Sequence, residues 1–323
     1  MLEEQLTSLV VDDDRNCLYA LSSQQSITLY SLGLNGEEFR HVKTLTGLRQ
    51  AAQALFPGLP ALSVPDFDIK NIHVVEVDSA RNIHLVAVTN TGVRLYFSHY
   101  RRNPVGLGLI GAPGPSGPRI PQREPNDFDL VQVRPPPADV AVADTPGHFM
   151  GAPRQAGGDA PIVFNDVINT CHSAGLTLGA QGASNLTEGS DVILCVAPDL
   201  SKIINQTPAA APPVYASYGA PQPPKAPLTE YATALHVGGI TWAMAETRRP
   251  VHSSAPPSSP APNPMFELAT QFSEPPRQFL IFTNAGLYFF AKKRAVDHLR
   301  QLLEQYDSEG RAAQTFCQKC VVF

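Results

Sequence analysis

The sequence predicts a mainly β fold, a partial β-propeller of roughly three blades with short helices inserted. Three observations lead there. A hairpin pattern rich in β-branched and aromatic residues recurs along the chain. No long helix separates its copies. The connections between copies are long and rich in proline, as rim loops of a propeller can be, because insertions at a rim face solvent.

The clearest hairpin is RNIHLVAVTNTGVRLYFSHY at 81–100. Ile83, Leu85 and Ala87 alternate with His84, Val86 and Val88. After the turn, Val93, Leu95 and Phe97 alternate with Arg94, Tyr96 and Ser98. A period of two places each set on one face of a strand. Asn90 and Gly92 are the residues able to supply positive φ in the connection. The pattern returns as RNCLYALSSQQSITLY at 15–30 and as RQFLIFTNAGLYFF at 277–290. A weaker pair joins GLTLGA (175–180) to DVILCVA (191–197). A β-sandwich is the competing arrangement of such hairpins.

Taken in order, strands are expected at 5–11, 16–21 and 27–32. An amphipathic helix fits 40–56, with Val42, Leu45, Leu48, Ala52, Leu55 and Phe56 on one face and Pro57 as its stop. Strands resume at about 71–77, 83–89 and 92–99, and FDLVQV (128–133) is another. A short helix is expected over 163–174, with Gly175 as its C-cap. GGITWAMAE (238–246) reads as a strand. Four proline-rich stretches, near 103–125, 135–161, 206–228 and 247–276, read as loops. RAVDHLRQLLEQY (294–306) is an amphipathic helix carrying Val296, Leu299, Leu302 and Leu303 on its apolar face. The expected division is therefore a blade region over 1–292 and a helical segment over 293–323.

Composition narrows the function. Of 323 residues, 43% are hydrophobic and 16% charged, so a sizeable core forms under a weakly charged surface. A net charge of −5 gives no concentrated basic surface, which argues against a nucleic-acid partner. MLEEQLTSLVVDDD is acidic and has no apolar core of the kind a secretory signal needs. No apolar run approaches the roughly 20 residues of a membrane span.

Candidate chemistry is sparse. Gly106-Leu-Gly-Leu-Ile-Gly111 matches GxGxxG, but APGPSGPRIP follows it where a phosphate-binding helix would have to start. Asp12-Asp13-Asp14 lacks the alternating ligands, glycine and distal glutamate of a calcium loop, and reads as a solvated turn at a strand end. Cys317-Gln-Lys-Cys320 has half the ligands of a zinc site and no second pair. No GxSxG elbow supports a hydrolase built around His172. No catalytic, cofactor-binding or metal-binding residue is assigned, and neither a cofactor nor a small-molecule substrate is expected.

Three separated segments carry a family resemblance. DDDRNCLYALSSQQSITLYSLG, AVTNTGVRLYFS and FLIFTNAGLYFFAKKRAVDHLRQLL, in that order, resemble the nucleoporin 155/170 family of large inner-ring scaffold nucleoporins. TNTGVRLYFS (89–98) is the strongest part, and Val-Asp-x-Leu-Arg-x-Leu-Leu at 296–303 reinforces it. The resemblance implies the second half of a seven-bladed propeller followed by the start of an α-solenoid, hence a fragment. It implies a non-enzymatic structural constituent of the nuclear pore complex that supports nucleocytoplasmic transport. Other inner-ring nucleoporins are the implied partners. The pore membrane is implied for the full-length family protein rather than for this piece. A generic propeller adaptor is the alternative, and a hydrolase the remoter one. Finally, Cys320-Val321-Val322-Phe323 matches a prenylation box, which makes Cys320 a candidate lipidation site. EQYDSEGRAAQTFCQK before it lacks the polybasic second signal, and the resemblance implies instead that Cys317 and Cys320 are core residues of a solenoid helix.

Overall fold

A computed structural model describes residues 4–33, 35–77, 79–80, 82–99, 124–137, 141–142, 166–182, 189–198, 230–247, 271–272 and 274–305. Its strands form four sheets, each built on an antiparallel meander in chain order. Blade 1 is β1 (Leu6–Asp12), β2 (Cys17–Ser22), β3 (Ile27–Ser31) and β4 (Arg40–Leu45). Helix α1 (Leu48–Leu55) and a 3-10 turn (Pro60–Leu62) lead to blade 2, made of β5 (Ile69–Val74), β6 (Leu85–Thr89), β7 (Arg94–Ser98) and β8 (Asp129–Arg134). Blade 3 is β10 (Val167–Ser173), β11 (Leu176–Gly182), β12 (Ser190–Pro198) and β13 (Glu230–Gly238), with β9 (Ala141–Val142) added in parallel on the outer edge of β13. Blade 4 has β14 (Thr241–Glu246), β15 (Gln278–Thr283) and β16 (Gly286–Ala291), and α2 (Ala295–Gln305) follows it.

The first strands make the axis. β1 lies against β5, β5 against β10, and β10 against β14, so the four sheets fan out from one row of inner strands as propeller blades do. Each inner strand shifts register near its start, between Leu6 and Ser8, Ile69 and Asn71, Val167 and Asn169, and Thr241 and Ala243. The same one-residue bulge four times over marks the blades as copies of one unit, and bulges increase the local twist of a strand.

Burial follows the alternation. In blade 1, Cys17, Tyr19, Leu21, Ile27 and Leu29 share a core with Leu85, Ala87, Leu95 and Phe97 of blade 2. Cys171, Leu178, Ala180 and Ile193 of blade 3 share another with Phe279 and Ile281 of blade 4. The opposite face of blade 2 carries Val86 and Val88, which are also buried. Blades 2 and 3 are thus apolar on both faces, as strands inside a stack must be.

All four hairpins read from the sequence are the second and third strands of their blades, in equivalent places. The blade count rises from roughly three to four because the weak pair at 175–197 belongs to a complete blade, whose β10 and β13 escaped the pattern. Two helix expectations are corrected. Residues 40–45 form β4, and only Leu48–Leu55 is helical. Val42, Leu45, Leu48 and Ala52 do lie at helical spacing, but the free edge of β3 pairs with 40–45, and Gly47, at φ 63, breaks the chain between the two. Residues 167–173 form the inner strand β10, because β11 supplies an antiparallel ladder for them. Gly175 is accordingly no helix cap. It forms the β10–β11 turn with Ala174, both at positive φ, 69 and 52. In the 89–92 turn Gly92 takes positive φ and Asn90 does not. Among the described residues, no helix is long and apolar enough to cross a membrane.

Blade junctions and candidate interaction surfaces

The hairpin turns hold the inner strands. In blade 2, Asn90 donates its backbone N–H to the carbonyl of Asp68, just before β5, and its Oδ1 accepts from the Asp68 N–H at 3.2 Å. In blade 4, Asn284 donates to the carbonyl of Ile240, just before β14, and its Oδ1 accepts from the Ile240 N–H at 2.8 Å. Blade 1 makes the same reciprocal pair with Ser23 and Gln5, whose N–H donates to Ser23 Oγ at 3.0 Å. The residue before each of these has a matching role. Ser22, Thr89 and Thr283 accept backbone N–H groups of their own turns, from Ser26, Val93 and Gly286. A short polar side chain at these two places ties each hairpin to the strand at the axis.

Other turn residues reach the next blade. Gln25, at φ 61, donates to Asp68 Oδ1 at 2.7 Å and accepts from the Ile69 N–H. Val167 at the start of β10 donates to the carbonyl of Asn90.

At their far ends the inner strands meet in a polar cluster. Asp12 closes β1 and accepts from Arg15 Nη1 at 2.7 Å, and the same nitrogen donates to the Val75 carbonyl of blade 2. Arg277, just before β15, pairs with Glu76 at 2.7 Å and Glu246 at 3.2 Å, which follow β5 and close β14. The single Ser173 hydroxyl, closing β10, lies within hydrogen-bond reach of both carboxylates, the shorter contact being to Glu246. Lys292 donates to the carbonyl of Ala174 at 2.7 Å. Three blades therefore share one part-buried ion cluster. Between blades 2 and 3, Arg94 makes two hydrogen bonds to Glu230, at 2.8 and 2.7 Å, with Arg134 adding a third cation contact at 3.2 Å. Paired and hydrogen-bonded charges are the form in which burial is tolerated.

Histidines fill the spaces between. His84 and His99 stack with ring centroids 4.1 Å apart, the His99 N–H donates to His84 Nδ1, and Tyr19 Oη meets His99 Nε2. Burial pushes His84 down to about 3 and His99 to about 2, assisted by the Arg15 charge. His73 Nε2 meets Thr170 Oγ1 at 2.8 Å across the blade 2–blade 3 junction, and burial pushes it to about 4. His172 meets Thr177 Oγ1 at 2.9 Å on the adjacent strand; burial pushes it to about 3, with the charges of Arg94 and Lys292 among the lesser causes. Next to it, Ser173 is taken up by Glu76 and Glu246.

The other singled-out residues fall as follows. Asp12 is not part of a solvated turn. It is buried, which pushes its carboxyl up even beside Arg15. Cys17 and Cys171 are free and buried, and burial raises their thiols to about 12 and about 11. Gly106 to Gly111, Cys317 and Cys320 lie outside the described residues. Among the described residues, no group of three His, Cys, Asp or Glu side chains is placed to hold a metal. The sequence reading missed the ion pairs, because their partners are 136 and 201 residues apart in Arg94–Glu230 and Glu76–Arg277. The Asn of the two TN-x-G turns was the one signal visible in advance.

Two broad surfaces remain. One face of blade 1 exposes Leu9 and Val11, and one face of blade 4 exposes Phe282, Leu287 and Phe289 beside the bulged Trp242.

Four blades on one axis among the described residues, with ion clusters at their junctions, define a β-propeller protein. The chain belongs to the nucleoporin N-terminal family described as Nup133 N terminal like, which it matches over residues 3–288. It is similar to Probable nucleoporin C890.06 of Schizosaccharomyces pombe, at 25% identity over 308 residues, 91% of this chain and 21% of the relative. It is similar also to the nuclear pore complex protein Nup154 of Drosophila melanogaster, at 24% over 296 residues, 91% of this chain and 19% of the relative. It thus spans about a fifth of the length of the curated relatives it matches. Among solved structures, the Nup170 NTD–Nup53 complex of Chaetomium thermophilum shares the fold, with a TM-score of 0.66, 21% identity, and coverage of 99% of this chain and 41% of that one.

Proposed function

We propose that this chain serves as a structural constituent of the nuclear pore complex, an inner-ring scaffold element that supports nucleocytoplasmic transport by binding other nucleoporins. The observation carrying this reading is the family match across nearly all four blades. The polar residues support a non-enzymatic role, because His172, Ser173 and Arg277 are engaged in joining strands and blades. A partner among the nucleoporins is supported by the Chaetomium neighbour, a Nup170 NTD solved in complex with Nup53. Residues 1–292 act as the blade unit, and α2 opens a helical segment that starts near 293.

Affinity purification of the tagged protein from cells of its source organism, with imaging of the same tag, tests the reading. Recovery of inner-ring nucleoporins and a rim signal at the nuclear envelope are expected. A diffuse signal with an unrelated set of propeller-binding proteins would favour a general adaptor instead.

A further inference from the structure

We infer that the junction between blades 2 and 3 is a hinge: blades 1 and 2 move as one unit, blades 3 and 4 as another, and the polar seam between the two units opens first. This goes beyond the pore reading and does not depend on it.

The junctions differ in what fills them. Blades 1 and 2 share one core, in which Tyr19, Leu29, Leu85 and Phe97 are fully buried. Blades 3 and 4 share another, which includes Ile193, Phe279 and Ile281. Among the described residues, no apolar cluster runs from blade 2 into blade 3. Blade 3 keeps Val167, Leu194, Val196 and Ala232 as a small cluster of its own. Blade 2 adds only Val86 and Val88 on the side from which Arg94 reaches Glu230.

Polar contacts cross this seam instead. Arg94 holds Glu230 through two hydrogen bonds, and Arg134 adds its charge. His73 meets Thr170, and the Val167 N–H donates to the Asn90 carbonyl. At the axis Glu76 of blade 2 reaches Arg277 of blade 4. Ions bridge blades 1 and 2 as well, through Lys43 with Asp127 and Asp129, but these part-exposed groups supplement a shared core.

The filling sets the cost of opening. Parting two blades across a shared core exposes apolar surface to water and regains nothing. Parting them across paired charges returns the hydration that burial removed, so an intact buried ion pair resists separation weakly. Opening the seam also leaves every ladder whole, because no sheet of the described residues contains strands of both blade 2 and blade 3. The two pairs of blades can therefore tilt apart without losing a strand.

Native-state thiol labelling of the 323-residue chain tests the hinge, with sites assigned by peptide mass spectrometry and rates corrected by those of the unfolded chain. Cys17 lies in the core of blades 1 and 2, and Cys171 in that of blades 3 and 4. Val88→Cys puts a third buried thiol in the seam by a swap of similar volume. The seam thiol should react about tenfold faster than Cys17 and Cys171, or more, because its junction lacks a shared core. Glu230→Gln strands the Arg94 charge, and should speed the seam thiol by about another tenfold while leaving the other two unmoved. Arg94→Lys keeps the charge but cannot bridge both carboxylate oxygens. It should act in the same direction and serves if Glu230→Gln does not fold. Equal rates at all three thiols would overturn the proposal, since the blades would then open together. A seam thiol slower than the others, or substitutions that speed all three alike, would overturn it as well.

Discussion

At the residue scale, the histidines show how burial rather than chemistry sets the character of a side chain in this molecule. His84, His99, His73 and His172 sit against one another or against Thr and Tyr hydroxyls, and burial holds all four well below the ordinary value of 6.5. They stay neutral in the fold and take up protons on unfolding. Above pH 6.5 neither state is charged, and their contribution to stability is complete. As pH falls below that, the unfolded chain gains protons that the fold refuses, so stability drops. The loss is about 1.4 kcal/mol per pH unit for each such histidine, until the folded-state values of about 2 to 4 are reached. Urea unfolding at pH 7.5 and pH 5.5 should therefore differ by more than a single histidine can supply. A flat profile between the two would mean that these rings are not held neutral.

At the element scale, the unit is a hairpin plus the clip that binds it to an inner strand. Asn90 and Asn284 are two versions of one clip, and each satisfies both polar groups of the residue preceding the strand. Asn284→Ala should cost about 1 kcal/mol by urea unfolding, because it leaves the Ile240 N–H without its side-chain acceptor. Asn90→Ala should cost at least as much, since Asn90 also donates to the Asp66 carbonyl. Equal stability in both variants would show that the backbone pairs alone hold the strands. The hairpins could be read in advance because period two, a polar turn and a glycine are local signals. β4 and β10 could not, because α or β was open for both stretches until a neighbouring edge offered a ladder. Gly47 at φ 63 and the Ala174–Gly175 turn show the same limit, since the backbone there is chosen by what it joins.

At the scale of the whole molecule, stability is graded across the fan. Blade 2 is buried on both faces, whereas blades 1 and 4 each turn one apolar face outward. Hydrogen exchange should follow that gradient, with the amides of β6 and β7 the slowest and those of β1 and β16 markedly faster. Uniform exchange rates across the four blades would show that the array opens as one unit instead. The polar cluster of Glu76, Ser173, Glu246 and Arg277 ties blades 2, 3 and 4 together at the axis, and Arg15 with the Val75 carbonyl adds blade 1. Neighbouring blades are therefore coupled by desolvated charge as well as by apolar contact.

What the sequence alone determined is the repeating hairpin, its alternating faces and, through three ordered motifs, the nucleoporin family. Each of these is written in residues close together in the chain, where spacing and turn chemistry suffice. Tertiary structure decided the fourth blade, the strand identity of 40–45 and 167–173, the pairing of Arg94 with Glu230 and of Arg277 with Glu76, and which apolar faces stay open. The reason is physical. An edge strand, a buried ion pair and an inter-blade face have no energy of their own until the partner, far away in sequence, is brought alongside to complete the ladder, neutralise the charge or exclude the water.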